Sequence, residues 1–315
     1  MEGKMHKVLI TTSSFGKIDS SPLDKLKING LKVIMNPFGR KLTESEVLNL
    51  IEKHRPSALL AGVEPLTAAV LQTGSPDLQT IARCGIGIDS VDLEAAQDLN
   101  ISVTNTPDAP TIPVAELTMG MILSLLRKIN ITDAGIRNDK WIRPMGNVLH
   151  GKTVGIIGCG RIGSRLARML QGFECAVLVS DPTSPQHEHC LLTELNHLLS
   201  ESDIISLHLP YCEETKHFIS TEHLEQMKKG SFLINASRGG LVNEDALFLS
   251  LQNEHLAGAA LDCFEQEPYT GPLNQLDNVL LTAHIGSYAS EGRIMMETQA
   301  VDNLIHQLKT QGATS

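Results

Sequence analysis

Short apolar runs rich in Val, Ile and Leu alternate along this chain with helix-length segments whose apolar positions recur every three to four residues. A period of two against a period of 3.6, repeated in turn, predicts βα units and parallel sheets. The first third offers strands at HKVLITT (6–12), LKVIMNP (31–37), SALLAGV (57–63), TIARCG (80–85) and ISVTNTP (101–107), with helices over 43–53 and 91–99 between them. A helix opening at Pro113-Val114-Ala115-Glu116 continues through LTMGMILSLLRKI with few polar interruptions, which suits a helix buried on most sides, between domains or between subunits. The stretch 138–150 holds Pro144, Gly146 and the single tryptophan, Trp141, and reads as a long connection or arm.

From Lys152 onward six strands follow: TVGIIG (153–158), AVLVSD (176–181), IISLHLP (204–210), SFLINAS (231–237), LAGAALD (256–262) and VLLTAH (279–284). Helices such as 161–172 and 244–253 separate them, the arrangement of a doubly wound parallel sheet. The last helix, near 290–308, follows the completed second sheet and is expected to return to the first domain. The expected division is therefore a discontinuous domain, 1–102 plus 288–315, and a second domain, 103–287.

The composition is that of an ordinary globular chain: 315 residues, 42% apolar and 20% charged. No apolar run reaches the roughly 18 residues of a membrane span, and the first residues lack a signal-peptide apolar region, so a cytoplasmic protein is expected. A net charge of −10, aromatics at 3% and no basic stripe argue against nucleic acid as a partner. Six scattered cysteines include no C-x-x-C pair and read as reduced thiols. His187-Glu188-His189-Cys190 could be taken for metal ligands, but no second ligand pair stands at zinc spacing, and the preferred reading is a polar loop with no metal.

Candidate chemistry begins at Gly158-Cys159-Gly160-Arg161-Ile162-Gly163, a G-x-G-x-x-G between a strand and an amphipathic helix. In that setting Gly158 permits the tight turn, Gly160 lets a pyrophosphate reach the backbone, and Gly163 lets helix and strand pack closely. Asp181 ends the next strand, where a carboxylate accepts hydrogen bonds from ribose hydroxyls and repels a 2′-phosphate, so NAD is expected rather than NADP. Three further polar residues follow later strands: Arg238, Glu267 and His284. An imidazole can donate a proton to a carbonyl oxygen near neutral pH, a neighbouring carboxylate orients it, and a guanidinium can grip a substrate carboxylate.

With these residues in view, the chain resembles the D-isomer-specific 2-hydroxyacid dehydrogenase family, in particular its 3-phosphoglycerate dehydrogenase-like branch. The resemblance spans nearly the whole chain through RCGIGIDSVDLEAA (83–96), VTNTPDAPTIPVAELT (103–118), LHGKTVGIIGCGRIG (149–163), LHLPYCEETKHFI (207–219), INASRGGLVNEDAL (234–247), AGAALDCFEQEP (257–268) and NVLLTAHIGS (278–287). It implies a Rossmann-type NAD domain and a smaller flavodoxin-like substrate domain with the active site in the cleft, and catalytic roles for Arg238, Glu267 and His284. It further implies NAD contacts at Arg161, Ile162 and Asp181, at His208 and Pro210 beside the adenosine, at Ala236 and Arg238 near the nicotinamide ribose, and at Asp262 near the nicotinamide amide. The turn 84–87, with Gly85, Ile86 and Gly87, resembles the family's substrate loop, in which backbone N–H groups bind a substrate carboxylate. A homodimer formed through the nucleotide domain is also implied; the apolar helix from Pro113 and the arm around Trp141 fit it, with a core helix and a buried tryptophan as the other reading.

Two departures stand out. The family commonly has Thr-Pro-His where this chain has Thr282-Ala283-His284. The loop Gly62-Val63-Glu64-Pro65 places Glu64 where phosphoglycerate dehydrogenases often carry basic residues, and Glu64 is expected to oppose a substrate phosphate. The expected activity is hydride transfer between NAD and a small anionic 2-hydroxy or 2-keto acid. An NAD-sensing corepressor-like binding protein of the same fold is the alternative; formate dehydrogenase is disfavoured because that enzyme places an amide where Glu267 stands.

Overall fold

A computed structural model describes residues 6–183 and 188–312. The chain divides into two compact units, Met1–Pro110 with Ser287–Ser315, and Thr111–Gly286.

The first unit contains β1 (Lys7–Ile10), β2 (Lys32–Met35), β3 (Ala58–Ala61), β4 (Thr80–Arg83) and β5 (Ser102–Thr104), all parallel, in the order β2-β1-β3-β4-β5. This is the flavodoxin-like order. Alternate residues feed opposite faces: Val8, Ile10, Ala58 and Leu60 enter one core, Leu9, Leu59 and Ala61 the other. Both faces are covered, as an all-parallel sheet requires. The helix Glu44–His54 starts at a capping box, Thr43 with Glu46, and Asp92 caps the helix Leu93–Asp98 by accepting from Ala95 N–H. Because β5 pairs with β4, the expected domain boundary at 102/103 cuts through a strand of this sheet, and the compact division falls instead after Pro110.

The C-terminal helix Ser290–Gly312 completes this unit, with Met296, Ala300, Val301 and Leu304 packed in the same core as Val8 and Leu60. A buried ion pair reinforces it. Arg293 Nε donates to Glu297 Oε1 at 2.8 Å, and Glu297 Oε2 accepts from Gly16 N–H at 2.9 Å, with side chains only 8% and 2% exposed.

Glu64 departs from the sequence expectation. Its side chain is turned inward, 1% exposed, and accepts from Gly62 N–H at 2.9 Å and from the Thr11 hydroxyl. It ties the loop to β1 rather than offering a charge to a phosphate. A buried carboxylate must find donors, and the loop's own N–H and a neighbouring hydroxyl are the nearest.

The second unit contains β6 (Thr153–Ile157), β7 (Ala176–Ser180), β8 (Leu191–Leu192), β9 (Ile204–Leu207), β10 (Phe232–Asn235), β11 (Gly258–Leu261) and β12 (Val279–Leu281), all parallel, in the order β12-β11-β10-β9-β6-β7-β8. The chain winds outward from β6 in one direction and returns through β9 in the other, so the switch point lies between β6 and β9. The seventh strand, β8, is unexpected; two residues in a polar loop carry no readable period. Of the loop's metal-ligand reading, His187 lies outside the described residues.

The apolar helix runs Thr111–Arg127 and ends earlier than its pattern predicts. Lys128 adopts a left-handed conformation, φ +56°, and a second helix spans Ile129–Arg137. The connection that follows folds back, and Asn147 N–H bonds Leu126 C=O at 2.8 Å, satisfying a carbonyl at the end of the first helix. The arm is extended, and Trp141 and Met145 are 82% and 93% exposed, so the buried-tryptophan reading does not hold for the single chain. Among the described residues no helix is long and apolar enough to cross a membrane.

Removing one member of the buried pair leaves the other charge unpaired. Glu297→Ala is expected to destabilise the first unit by about 3–5 kcal/mol, read as an earlier urea unfolding midpoint. A change below about 1 kcal/mol would show that the pair does not anchor the helix.

Candidate active site

Parallel strands bring all their carboxyl ends to one edge, and in the second unit every catalytic and cofactor residue expected from the sequence falls at or just beyond that edge. The glycine turn leaves β6. Gly158 sits at φ +90°, and a Cβ there would come within 2.6 Å of His208 C=O. At Gly163 a Cβ would stand 2.2 Å from Gly158 C=O, which explains why helix and turn pack only over glycine. Gly160 differs: a Cβ on it meets nothing within 4 Å. Its backbone borders open space at the start of the helix Arg161–Leu170, whose first N–H groups have no intrahelical acceptor. These are the features a pyrophosphate needs.

Asp181 follows β7. One carboxylate oxygen accepts from Cys159 N–H at 2.6 Å and the other from Thr183 N–H and hydroxyl at 2.8 and 2.9 Å. The acid is thereby held against the glycine turn. His208 follows β9. Its Nε2 lies 2.9 Å from Ser206 Oγ, while Nδ1 is buried without a hydrogen-bond partner. Burial pushes its pKa down to about 4. A neutral imidazole with an unanswered nitrogen fits a polar group of a bound dinucleotide. Pro210, two residues on, is exposed.

The later strand ends carry the reactive groups. Beyond β10, Ala236 is buried and Ser237-Arg238-Gly239 forms a tight loop. Asn235 organises it, accepting from Ser237 N–H at 3.1 Å and donating to Arg238 C=O at 2.8 Å. Ser237 Oγ donates to Leu207 C=O at 2.6 Å, and Arg238 Nη1 to Ser237 C=O at 2.8 Å. Gly239 permits the approach of the next loop, since a Cβ there would lie 1.8 Å from Phe264 C=O.

Beyond β11, Asp262 is fully buried. Its carboxylate accepts from Thr282 Oγ1 at 2.6 Å, Ile285 N–H at 2.8 Å and Gly286 N–H at 2.7 Å. These three donors flank His284, which stands in the left-handed region at φ +53°. That conformation is costly for a non-glycine residue and persists because its neighbours are pinned on both sides. His284 Nδ1 then faces Glu267 at 2.9 and 3.0 Å to the two oxygens, and Glu267 also accepts from Phe264 N–H at 3.2 Å.

The structure thus pairs His284 with Glu267 directly. Arg238 belongs to the same edge: Cys263 Sγ donates to Ser237 C=O at 3.4 Å, and Arg238 and Glu267 both act electrostatically on that thiol. The sequence reading did not single out Asn235, Gly239 or Thr282. An amide ending an otherwise apolar strand was the available signal for Asn235; the others become visible only once two loops meet. In the first unit, Gly85 sits at φ +147° and its N–H is engaged by Thr106 Oγ1 at 2.8 Å, so it does not stand ready for a ligand, while Ile86 and Gly87 follow it in the same turn.

His208 links this edge to pH. Neutral in the folded chain down to about 4, it takes up a proton near 6.5 when unfolded. Between those values the unfolded chain binds more protons, so stability falls as pH drops, by up to about 1.4 kcal/mol per unit. His208→Gln is expected to shrink the loss of thermal midpoint between about pH 7 and about pH 5; an equal loss in both proteins would remove His208 as the cause.

Comparisons with known proteins identify the family. Residues 119–286 match the family model described as D-isomer specific 2-hydroxyacid dehydrogenase, NAD binding domain. A hydroxypyruvate reductase from Thermotoga maritima is 33% identical over 300 residues, covering 92% of this chain and 97% of that protein. A D-3-phosphoglycerate dehydrogenase from Synechocystis is 33% identical over 307 residues, 95% of this chain, which spans only 54% of that relative's length. Among solved structures, a D-lactate dehydrogenase from Aquifex aeolicus complexed with NAD and lactic acid superposes with a TM-score of 0.83 at 29% identity, covering 97% of this chain and 96% of that one. With its glycine turn, its strand-end acid and its histidine–carboxylate pair on one sheet edge, the chain belongs to the NAD-dependent D-isomer-specific 2-hydroxyacid dehydrogenase family.

Proposed function

We propose that this protein interconverts small D-2-hydroxy acids and the corresponding 2-keto acids, with His284 as acid/base, Glu267 as its partner and Arg238 as the substrate clamp. The observation that carries the reading is the His284–Glu267 pair on the sheet edge that also bears the glycine turn. Bound NAD supplies the hydride chemistry. Gly160, Arg161 and Ile162 would hold its pyrophosphate on the turn that Gly158 and Gly163 shape, Asp181 would hold its adenosine ribose, and His208 and Pro210 would border the adenosine. Ala236 and Asp262 would stand toward the nicotinamide. Asp181 selects against a 2′-phosphate by charge.

With Nδ1 engaged by the carboxylate, Nε2 of His284 is the nitrogen that gives a proton to the carbonyl oxygen in reduction and takes it back in oxidation. Glu267 stabilises the imidazolium between those events. Arg238 forks onto the substrate carboxylate. In the first unit taken by itself, Ile86 and Gly87 N–H are the donors the 84–87 turn keeps for an anionic group, Gly85 N–H being engaged by Thr106. Glu64, turned inward onto Gly62 N–H and Thr11, presents no charge to a substrate phosphate, so phosphorylated and unphosphorylated 2-keto acids both belong in the substrate panel.

NADH oxidation with a panel of small 2-keto acids is expected to show turnover, weaker with NADPH. His284→Ala is expected to lower kcat by about 10²- to 10⁴-fold while NADH binding, followed by its fluorescence, persists. Unchanged turnover would reject the proton donor, and no turnover with any acid would reject the activity.

The same reading includes a homodimer through the second unit. Ile129, Ile136, Trp141, Ile142, Met145 and Val148 are exposed large apolar residues on one helix and the arm that follows it. So much apolar surface on adjoining segments marks an interface. Light scattering is expected to give twice the chain mass, shifting toward the monomer in Trp141→Asp; a wild-type monomer would refute it.

A further inference from the structure

One reactive group beside the candidate catalytic pair has no part in the mechanism above. Cys263 follows Asp262 just beyond β11 and is 1% exposed. Ligand atoms of Cys263, Glu267 and His284 all lie within 4.8 Å of one another. From these positions we infer that the site is a binding site for a borderline divalent cation, zinc in particular, which switches the enzyme off. The inference rests on the assignment of His284 and Glu267 as the catalytic pair.

The donor set is one sulfur, one nitrogen and one carboxylate oxygen, the combination that selects zinc and cobalt over magnesium or calcium. Tetrahedral zinc with bonds of about 2.0–2.3 Å separates its ligands by roughly 3.5 Å, so the cluster must contract by about an ångström. Imidazole and carboxylate, now 2.9 Å apart, open by about half an ångström to admit the ion, and the contraction falls on the sulfur, whose present hydrogen bond to Ser237 C=O is a long one at 3.4 Å. One thiolate and one carboxylate balance the charge of the ion. On binding, the thiol proton leaves to solvent, together with any proton held on the ligating ring nitrogen. The ion has a way in, because the His284 and Glu267 side chains are 39% and 34% exposed while the thiol closes the site from beneath. A fourth position remains for water.

The consequence follows from the role of the imidazole. A ring whose lone pair is committed to zinc cannot take up a proton, and a carboxylate bound to the same ion no longer braces an imidazolium. Turnover stops without any loss of the glycine turn, so dinucleotide binding is retained.

The test uses the full chain freed of metal with EDTA. Zinc chloride is expected to abolish 2-keto acid reduction at about one equivalent, and EDTA to restore it. Cys263→Val should keep basal turnover and need about tenfold or more zinc for half-inhibition, with Cys263→Ser as the second variant should valine perturb folding. Cobalt(II) alone should give a thiolate-to-metal charge-transfer band in the near ultraviolet that both variants lack. Equal zinc sensitivity in wild type and variants, or a cobalt spectrum with no thiolate band, would overturn the site. If the protein turned over no 2-keto acid, the catalytic assignment would fail while the cobalt spectrum still decided the metal site.

Discussion

The buried carboxylate of Asp262 is the constraint on which the reactive end of the second unit depends. An acid fully removed from water must have its oxygens answered, and the donors here come from the segment that carries His284. Satisfying Asp262 therefore fixes the backbone on both sides of the histidine. The strained left-handed conformation of His284 is the product of that arrangement, and it aims Nδ1 at Glu267. The geometry of the candidate catalytic pair is thus built by a buried carboxylate.

Glycine plays the complementary part. At Gly158, Gly163 and Gly239 a single added carbon would collide with a carbonyl oxygen. The first two let the turn after β6 sit against its helix and against the end of β9; the third lets the loop after β10 meet the loop after β11. Of the three glycines of the turn after β6, Gly160 faces open space, which is where a phosphate group needs the backbone to be bare. The same principle of answered charge runs through the first unit, where Glu64 and the Arg293–Glu297 pair are buried only because backbone N–H groups and a hydroxyl complete them.

Cys263 shows how one position changes what a site can do. In the hydride-transfer reading it is a packing residue, its thiol pushed well above the usual range by burial. Beside an imidazole and a carboxylate it also completes a set of donors for a borderline divalent cation. Regulation by metal would then need no separate domain, only a sulfur under the catalytic pair.

The sequence by itself determined the alternation of strands and helices, the glycine turn and its acid, and the identity of the catalytic candidates. These are legible because periodicity, turn chemistry and strand-end position are local properties. Tertiary structure alone decided the rest. Whether Glu64 faced outward, where the helix from Thr111 stopped, whether Trp141 was covered, that β8 existed, and that Gly85 N–H was already engaged all depend on partners distant in the chain. A hydrogen bond or a packed face belongs to two segments at once, and no pattern within either one records the other.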